Sequence, residues 1–166
     1  MSHNQIYQPF YVKFLVFLVI VGGSVVGASV VISCYQNEKW YKGLTHPSYS
    51  PAAWVIAPVF TLCFLLESLG AWFVWYSNGI KHSYPHILIY CAQYACTLAW
   101  FPTFFGYEFT MAGIVVLIGS WTLTVLTLLA FSRCTWLSSV LLVFPLTWKT
   151  YCLIWGMDVM INNPGR

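Results

Sequence analysis

Charged residues are scarce in this sequence. Only 7% of its 166 residues are Asp, Glu, Lys or Arg, whereas 60% are hydrophobic; soluble domains carry roughly 25% charged residues. This shortage excludes a water-soluble globular fold, because such a fold has no means of covering so much apolar surface. The seven Lys and Arg residues stand singly and leave a net charge of +3. They form no basic stripe with interleaved aromatics, so the sequence also excludes nucleic-acid binding.

Groupings of residues that carry chemistry are also lacking. The six cysteines form no Cys-x-x-Cys pair and lie mostly inside apolar runs, where cysteine usually acts as a small buried hydrophobe. We therefore predict no disulfide, no metal site and no resident cofactor. The four histidines lie in the N-terminal tail, the first loop and the turn before the third span: His3, His46, His82 and His86. None has a nucleophile at a recognisable spacing, so we predict no catalytic residue.

What the sequence does contain is five long apolar runs. Each is close to the roughly 20 residues that a transmembrane helix needs, and their predicted bounds are 10–34, 51–76, 85–105, 109–131 and 136–161. The sequence thus predicts an all-α integral membrane protein, a bundle of five transmembrane helices that forms one domain over residues 1–166. The polar segment 35–50 is the longest connection, and we predict that this segment, loop one, acts as a lid. The first run is too long for a signal peptide, so we expect it to remain as an anchor.

The basic residues do not orient this bundle. An odd number of spans places the two termini on opposite sides, and orientation follows the side with more Lys and Arg. Three fall on each side: Lys13, Lys81 and Arg133 with the N-terminus, and Lys39, Lys42 and Arg166 with loop one. The sequence therefore leaves the orientation open.

Three polar side chains fall well inside the predicted spans, namely Glu67, Gln93 and Lys149. Such groups are costly in lipid and usually face the bundle interior. At a rise of 1.5 Å per residue, Glu67 lies roughly 22 Å and Lys149 roughly 18 Å from the loop-one side. Our hypothesis is that these two residues form an ion pair across the bundle. The alternatives are that each side chain snorkels toward the interface, or that Glu67 is simply protonated.

Small residues recur at four-residue spacing in two spans, as Gly23-x-x-x-Gly27 and Ala95-x-x-x-Ala99. This spacing suits close contact between helices. It is compatible with a homodimer face and equally with ordinary packing inside one bundle, and the sequence leaves both interpretations open.

Aromatic, Gly and Pro residues form three dense blocks along the chain. The first is Trp40-Tyr41-x-Gly43-Leu44-x-x-Pro47-Ser48-Tyr49-x-Pro51-x-x-Trp54-Val55-x-x-Pro58-Val59-Phe60. The second is Tyr90-x-x-Gln93 with Ala99-Trp100-x-Pro102-x-Phe104-Phe105-Gly106, and the third is Leu141-Leu142 with Leu146-x-Trp148. In this order and spacing, the blocks resemble the translocator protein family, also called the tryptophan-rich sensory or peripheral-type benzodiazepine receptor proteins. The resemblance is that of a divergent member.

The resemblance implies a five-helix bundle that binds porphyrins, sterols and synthetic aromatic ligands in a pocket beneath loop one. Carried over position by position, the pocket residues would be Tyr49, Trp54, Ile56, Ala57, Phe60, Trp100, Trp148, Cys152 and Trp155. The alternative is that these side chains only fill space between helices. A porphyrin or haem precursor is expected as a ligand, not as a bound cofactor. The resemblance further implies the mitochondrial outer membrane for a eukaryotic source and the cell envelope for a bacterial one.

Departures from the family pattern bear on the function. Phe60 stands where a Trp is usual, which weighs against the porphyrin breakdown credited to some bacterial relatives and favours binding over catalysis. Thr97 replaces an Asn, and Trp155-Gly156 replaces Leu-Asn, so the ligand preference is expected to differ. Glu67 and Lys149 replace residues that are usually apolar. A third possible function is that of a membrane scaffold whose protein partners matter more than any ligand.

Overall fold

The computed structural model describes residues 10–163 of the chain. His3, Arg166 and the Lys81 side chain, which enter the sequence argument, lie outside what it describes. The described residues form helices and no strand, and five of the helices are long and apolar enough to cross a membrane. The predicted fold class is therefore confirmed, and the chain is an integral membrane protein.

Residues 10–163 form six successive helices. The first, α1, consists of the segments Phe10–Phe17, Leu18–Gly22 and Gly23–Tyr35, of which the middle one is π-helical. A short helix, α2, lies within loop one at Glu38–Lys42. The remaining four spans are α3 (Ala53–Gly79), α4 (His82–Gly106), α5 (Thr110–Ser132) and α6 (Trp136–Asn162). The last turn of α4, Pro102–Gly106, is also π-helical. Neither π-helical turn was predicted from the sequence.

The turn between α3 and α4 is tighter than predicted. Helical backbone continues to Gly79, whose φ of 70° and ψ of 169° break the helix, and it resumes almost at once. Glycine suits this position because a positive φ brings no Cβ clash. The amide of Asn78 and the hydroxyl of Ser83 both donate to the carbonyl of Val74, at 3.1 and 3.0 Å. The Asn78 bond lies within α3, whereas the Ser83 bond joins α4 to α3 across the break. The third span begins at His82, three residues before the predicted start at residue 85.

Hydrogen bonds between helices fix the centre of the bundle. The hydroxyl of Tyr90 lies 3.1 Å from the Ser24 hydroxyl, and Tyr94 donates to the Ser24 carbonyl at 2.7 Å, so α1 packs on α4. The hydroxyls of Thr97 and Ser120 lie 2.7 Å apart and join α4 to α5. These polar side chains are thus paired across helices, as expected where water is absent.

The last span, α6, packs against both α5 and α3. The indole N–H of Trp121 donates to the Thr150 hydroxyl at 2.8 Å, which joins α5 to α6. A Cβ built on Gly70 of α3 would lie 3.2 Å from the Ser138 carbonyl and 3.0 Å from the Leu142 side chain, both on α6. The backbones of α3 and α6 therefore approach closely at the end of the bundle far from loop one.

The buried apolar side chains form two clusters along the bundle. The smaller lies far from loop one and contains Ala71, Val74, Tyr90, Phe131 and Leu142. The larger lies beneath loop one and contains most of the buried aromatic rings. The larger cluster brings together aromatic rings from three spans and is therefore the candidate for a functional site.

Candidate functional site

Seven aromatic rings meet beneath loop one, contributed by α3, α4 and α6. We call this group the aromatic cluster: Phe60, Trp100, Phe101, Phe104, Phe105, Trp148 and Trp155. The rings of Phe60 and Trp100 stack with their centroids 5.1 Å apart, and Trp100 stacks on Phe104 at 5.2 Å. Such distances are within the range of favourable aromatic pairs. The cluster presents flat apolar surfaces at one depth of the bundle.

The cluster is closed by its own side chains. Phe60 and Trp100 are 0% and 1% exposed, and Trp155 is 1% exposed. The Trp148 ring lies edge-on to Phe60 at 6.1 Å. Its indole N–H is buried and has no hydrogen-bond partner among residues 10–163. A buried donor without a partner is uncommon in folded proteins, so this N–H is a point at which a ligand acceptor would be favoured.

Most of the pocket residues implied by the resemblance come together here. The buried ones are Ile56, Phe60, Trp100, Cys152 and Trp155, and those packed against them with partial exposure are Ala57 and Trp148. The structure does not bring the remaining two, Tyr49 and Trp54, into the cluster, since their side chains are 43% and 72% exposed. The site that the described residues support is therefore made by seven of the nine expected positions.

Helix geometry explains why Trp54 lies outside. Successive residues of an α-helix are rotated by about 100°, so Ile56 and Phe60 share one face of α3 while Trp54 lies on nearly the opposite one. Trp54 instead lines a partly open cavity of about 440 Å³ beside loop one, whose lining also includes Glu38, Tyr41, Lys42, His46 and Ser50. The resemblance included Trp54 among the pocket residues, but its position around α3 places it on the side of the helix away from the other rings.

Beneath the aromatic cluster lies a group of buried polar side chains, which we call the polar cluster. The Lys149 ammonium lies 2.9 Å from Glu67 Oε1, so the structure pairs the two residues. It also lies 3.1 Å from the Thr97 hydroxyl and 2.8 Å from that of Thr124. All four side chains are at most 1% exposed. One ammonium group thus connects four helices: α3, α4, α5 and α6.

The pairing of Glu67 with Lys149 was predicted from the sequence, but the two threonine partners of Lys149 were not. Thr97 was singled out only as a departure from the family pattern, and Thr124 gave no signal among the many hydroxyl residues of α5. The structure shows that three of the departures meet, because Lys149 donates hydrogen bonds to both Glu67 and Thr97. The depth of Thr97 in the membrane could have indicated this contact. Thr97 lies one helical turn from Gln93, at the level predicted for the pair of Glu67 and Lys149.

Loop one is fastened to α6 by hydrogen bonds over long sequence distances. The backbone of Thr45 exchanges two bonds with the Asn163 side chain, at 2.9 and 3.1 Å. The Trp155 indole donates to the Ser50 hydroxyl at 3.0 Å. Trp155 therefore belongs both to the aromatic cluster and to the fastening of the lid above it.

Two tyrosines of loop one, Tyr41 and Tyr49, also make hydrogen bonds at this lid. The Tyr49 hydroxyl donates to the carboxylate of Asp158, and this hydrogen bond raises the pKa of Tyr49 to about 12. The hydroxyl of Tyr151 donates to the Tyr49 carbonyl at 2.7 Å. The Tyr41 hydroxyl donates to the Pro51 carbonyl at 2.5 Å, and burial raises the pKa of Tyr41. The Tyr41 ring stands between the open cavity and the aromatic cluster.

The small-residue motifs are placed differently. A Cβ on Gly27 would lie 3.0 Å from the Tyr94 hydroxyl, so Gly27 serves packing within the bundle. Gly23, Ala95 and Ala99 face outward.

The part of the chain that the structure describes holds no group of three or more His, Cys, Asp or Glu residues suited to a metal. The aromatic and polar clusters offer stacking, apolar contact and buried hydrogen bonding.

Comparison with known proteins adds an independent observation. The model of the TspO/MBR family matches residues 14–160 of the chain. The "Tryptophan-rich protein TspO" of Chlorobaculum tepidum is 30% identical over 129 residues, which cover 75% of this chain and 80% of that protein. The "Tryptophan-rich sensory protein" of Cereibacter sphaeroides is 29% identical, covering 92% of each chain. The "Translocator protein" of Sus scrofa is 27% identical, covering 76% of each.

Proposed function

This chain belongs to the TspO/MBR family, and we propose that it binds a planar apolar ligand, such as a porphyrin or a sterol, within the aromatic cluster beneath loop one. The names of its relatives, sensory protein and translocator protein, fit a membrane protein in sensing or transport. In either role the ligand would enter the bundle, be held between rings and leave again.

The stacked rings of Phe60, Trp100 and Phe104 are the observation that carries this proposal. Their centroids are 5.1 and 5.2 Å apart, and each aromatic pair contributes about 0.5–1.5 kcal/mol beyond burial of area. A flat polycyclic ligand between these rings replaces each lost ring contact with a similar one. Small movements of side chains therefore exchange one stack for another at little net change in free energy.

The unpartnered N–H of Trp148 supports the same site. Leaving a buried donor unsatisfied costs about 1–3 kcal/mol, and a carbonyl or ether oxygen of a ligand would remove that penalty. The lid formed by loop one supports this site as well, because hydrogen bonds to Asn163 and Trp155 hold loop one over the aromatic cluster. Covers of this kind exclude water from an apolar site.

Titration of the purified protein with protoporphyrin, cholesterol and an aromatic benzodiazepine-site ligand tests the proposal. We expect saturable binding of at least one of them and its loss in Trp100→Ala and Trp148→Ala. Trp136→Ala is the matched control, because Trp136 lies on the same helix as Trp148 and is 74% exposed. Trp54→Ala is expected to leave affinity unchanged. Absence of saturable binding to all three ligands would refute the proposal.

A further inference from the structure

The polar cluster has a chemistry that bears on which ligand fits. We propose that the polar cluster selects a ligand whose buried end carries a hydrogen-bond donor, such as an alcohol or an amine, and disfavours a ligand whose buried end is a carboxylate. This inference rests on the proposed function. The selection comes from Glu67, which offers an acceptor, and from Lys149, which has no donor to spare.

The polar cluster lies directly below the aromatic cluster on three helices. Residues three or four positions apart share one face of a helix. On α4, Thr97 precedes Trp100 by three positions. On α6, Lys149 is followed at the same spacing by Cys152, and on α3, Glu67 is preceded by Cys63 at four. Both cysteines are buried, at 2% and 1% exposure. A ligand that enters between the rings and passes the small thiols therefore meets the polar cluster with its leading end.

The donors of Lys149 are fully used inside the protein. An ammonium group has three N–H donors, and Lys149 makes three hydrogen bonds, to Glu67, Thr97 and Thr124. A lysine that bound an anionic ligand would need at least one free donor. A carboxylate would therefore have to displace an internal bond in order to bind the Lys149 ammonium, and it would also meet the negative charge of Glu67.

The acceptor side of the cluster is not fully used. Glu67 Oε2 is buried and has no hydrogen-bond partner among residues 10–163, and neither has Gln93 Oε1, a second acceptor. The Gln93 Nε2 donor is also without a partner there, and it would suit the oxygen of an alcohol, which accepts a hydrogen bond as well as donating one. Both side chains are 0% exposed. Gln93 lies one turn below Thr97 on the same face of α4. An O–H or N–H group donated by a ligand would satisfy Glu67 Oε2, and hydrogen bonds to charged groups are the stronger ones.

A set of planar probes that differ only at one end tests this selection. Pyrene is flat, polycyclic and accepts energy from excited tryptophan, so binding of 1-methylpyrene, 1-pyrenemethanol and 1-pyrenecarboxylate to the purified protein is measured by one fluorescence titration. We expect 1-pyrenemethanol to bind about tenfold more tightly than 1-methylpyrene, equivalent to about 1.4 kcal/mol. We expect 1-pyrenecarboxylate to bind more weakly than either.

The double variant Glu67→Leu with Lys149→Met assigns the selection to the polar cluster. Apolar replacement of both partners of a buried ion pair is often tolerated, whereas either single change leaves a buried charge unpaired. In this variant we expect 1-methylpyrene to bind as in the unmodified protein, while the preference for 1-pyrenemethanol disappears. Trp148→Ala is the control that removes binding of all three probes.

The outcomes separate this inference from the proposed function. If 1-methylpyrene binds and is lost in Trp148→Ala, but the three probes bind equally, the inference is wrong and the proposed function stands. Tighter binding of the carboxylate, or an alcohol preference that survives in the double variant, also overturns the inference. If none of the probes binds and the ligands named above fail as well, the proposed function fails with it.

Discussion

The ion pair between Lys149 and Glu67 is predicted to stabilise the bundle only as a pair. Both side chains are 0% exposed, and the Nζ–Oε1 distance is 2.9 Å. In Lys149→Met, Glu67 Oε1 loses its bond to the cation, and Glu67 Oε2 has no hydrogen-bond partner to begin with. The hydroxyls of Thr97 and Thr124 keep their bonds to the carbonyls one turn earlier, at 2.8 Å each. The loss therefore falls mainly on Glu67, and removal of one partner of a buried pair typically costs about 3–5 kcal/mol.

A double-mutant cycle measures this dependence. We expect Lys149→Met and Glu67→Leu each to lower the free energy of unfolding by about 3–5 kcal/mol. We expect the double variant to lie within about 2 kcal/mol of the unmodified protein, because apolar side chains of similar volume replace the pair. Unfolding by sodium dodecyl sulfate in mixed micelles, followed by loss of helical circular dichroism, provides the four values. The resulting coupling energy should exceed about 3 kcal/mol, the upper end of the usual range for contacting residues.

The exposed pair in loop one supplies the matched control. Lys42 and Glu38 lie 3.1 Å apart with side chains that are 68% and 52% exposed. Lys42→Met is expected to change stability by less than about 1 kcal/mol, as is usual for surface ion pairs. The reasoning about the buried pair is refuted if its two single variants are additive in the double, or if each behaves like Lys42→Met.

Two further predictions concern packing and the lid. Gly113→Ala should destabilise the bundle by about 1–3 kcal/mol, because a Cβ there would lie 2.7 Å from the Phe104 ring. Gly119→Ala on the same helix is the control and should be tolerated, because its Cβ would meet only Cys96 Sγ, at 3.5 Å. Equal melting temperatures of the two variants would contradict this prediction. Tyr49, with its pKa raised to about 12 from 10, should hold its bond to Asp158 below pH 10 and lose it as the pH rises through 12. Tyr49→Phe should then remove a tyrosinate absorbance step near pH 12, and removal of a step near pH 10 would count against the bond.

The five spans follow from the sequence because their cause is local. A run of about 20 apolar residues spans a bilayer whatever its neighbours are, so composition and length are sufficient. The depths of Glu67 and Lys149 are local as well, since each follows from counting residues along one helix. The resemblance to the family supplied nine pocket positions, and five of these, including the rings of Phe60, Trp100 and Trp155, are buried together in the structure.

The rest depended on how the helices are rotated and joined. Rotation of α3 sends Trp54 to the open cavity while Ile56 faces the rings. The partners of Lys149 on α4 and α5 depend on three helices meeting at one level. The bonds between Thr45 and Asn163 join residues 118 positions apart. The sequence by itself determined that this protein crosses a membrane five times and which polar residues lie deep within it. Only the tertiary structure decided which side chains face one another, because facing depends on the mutual rotation of packed helices and not on any single one.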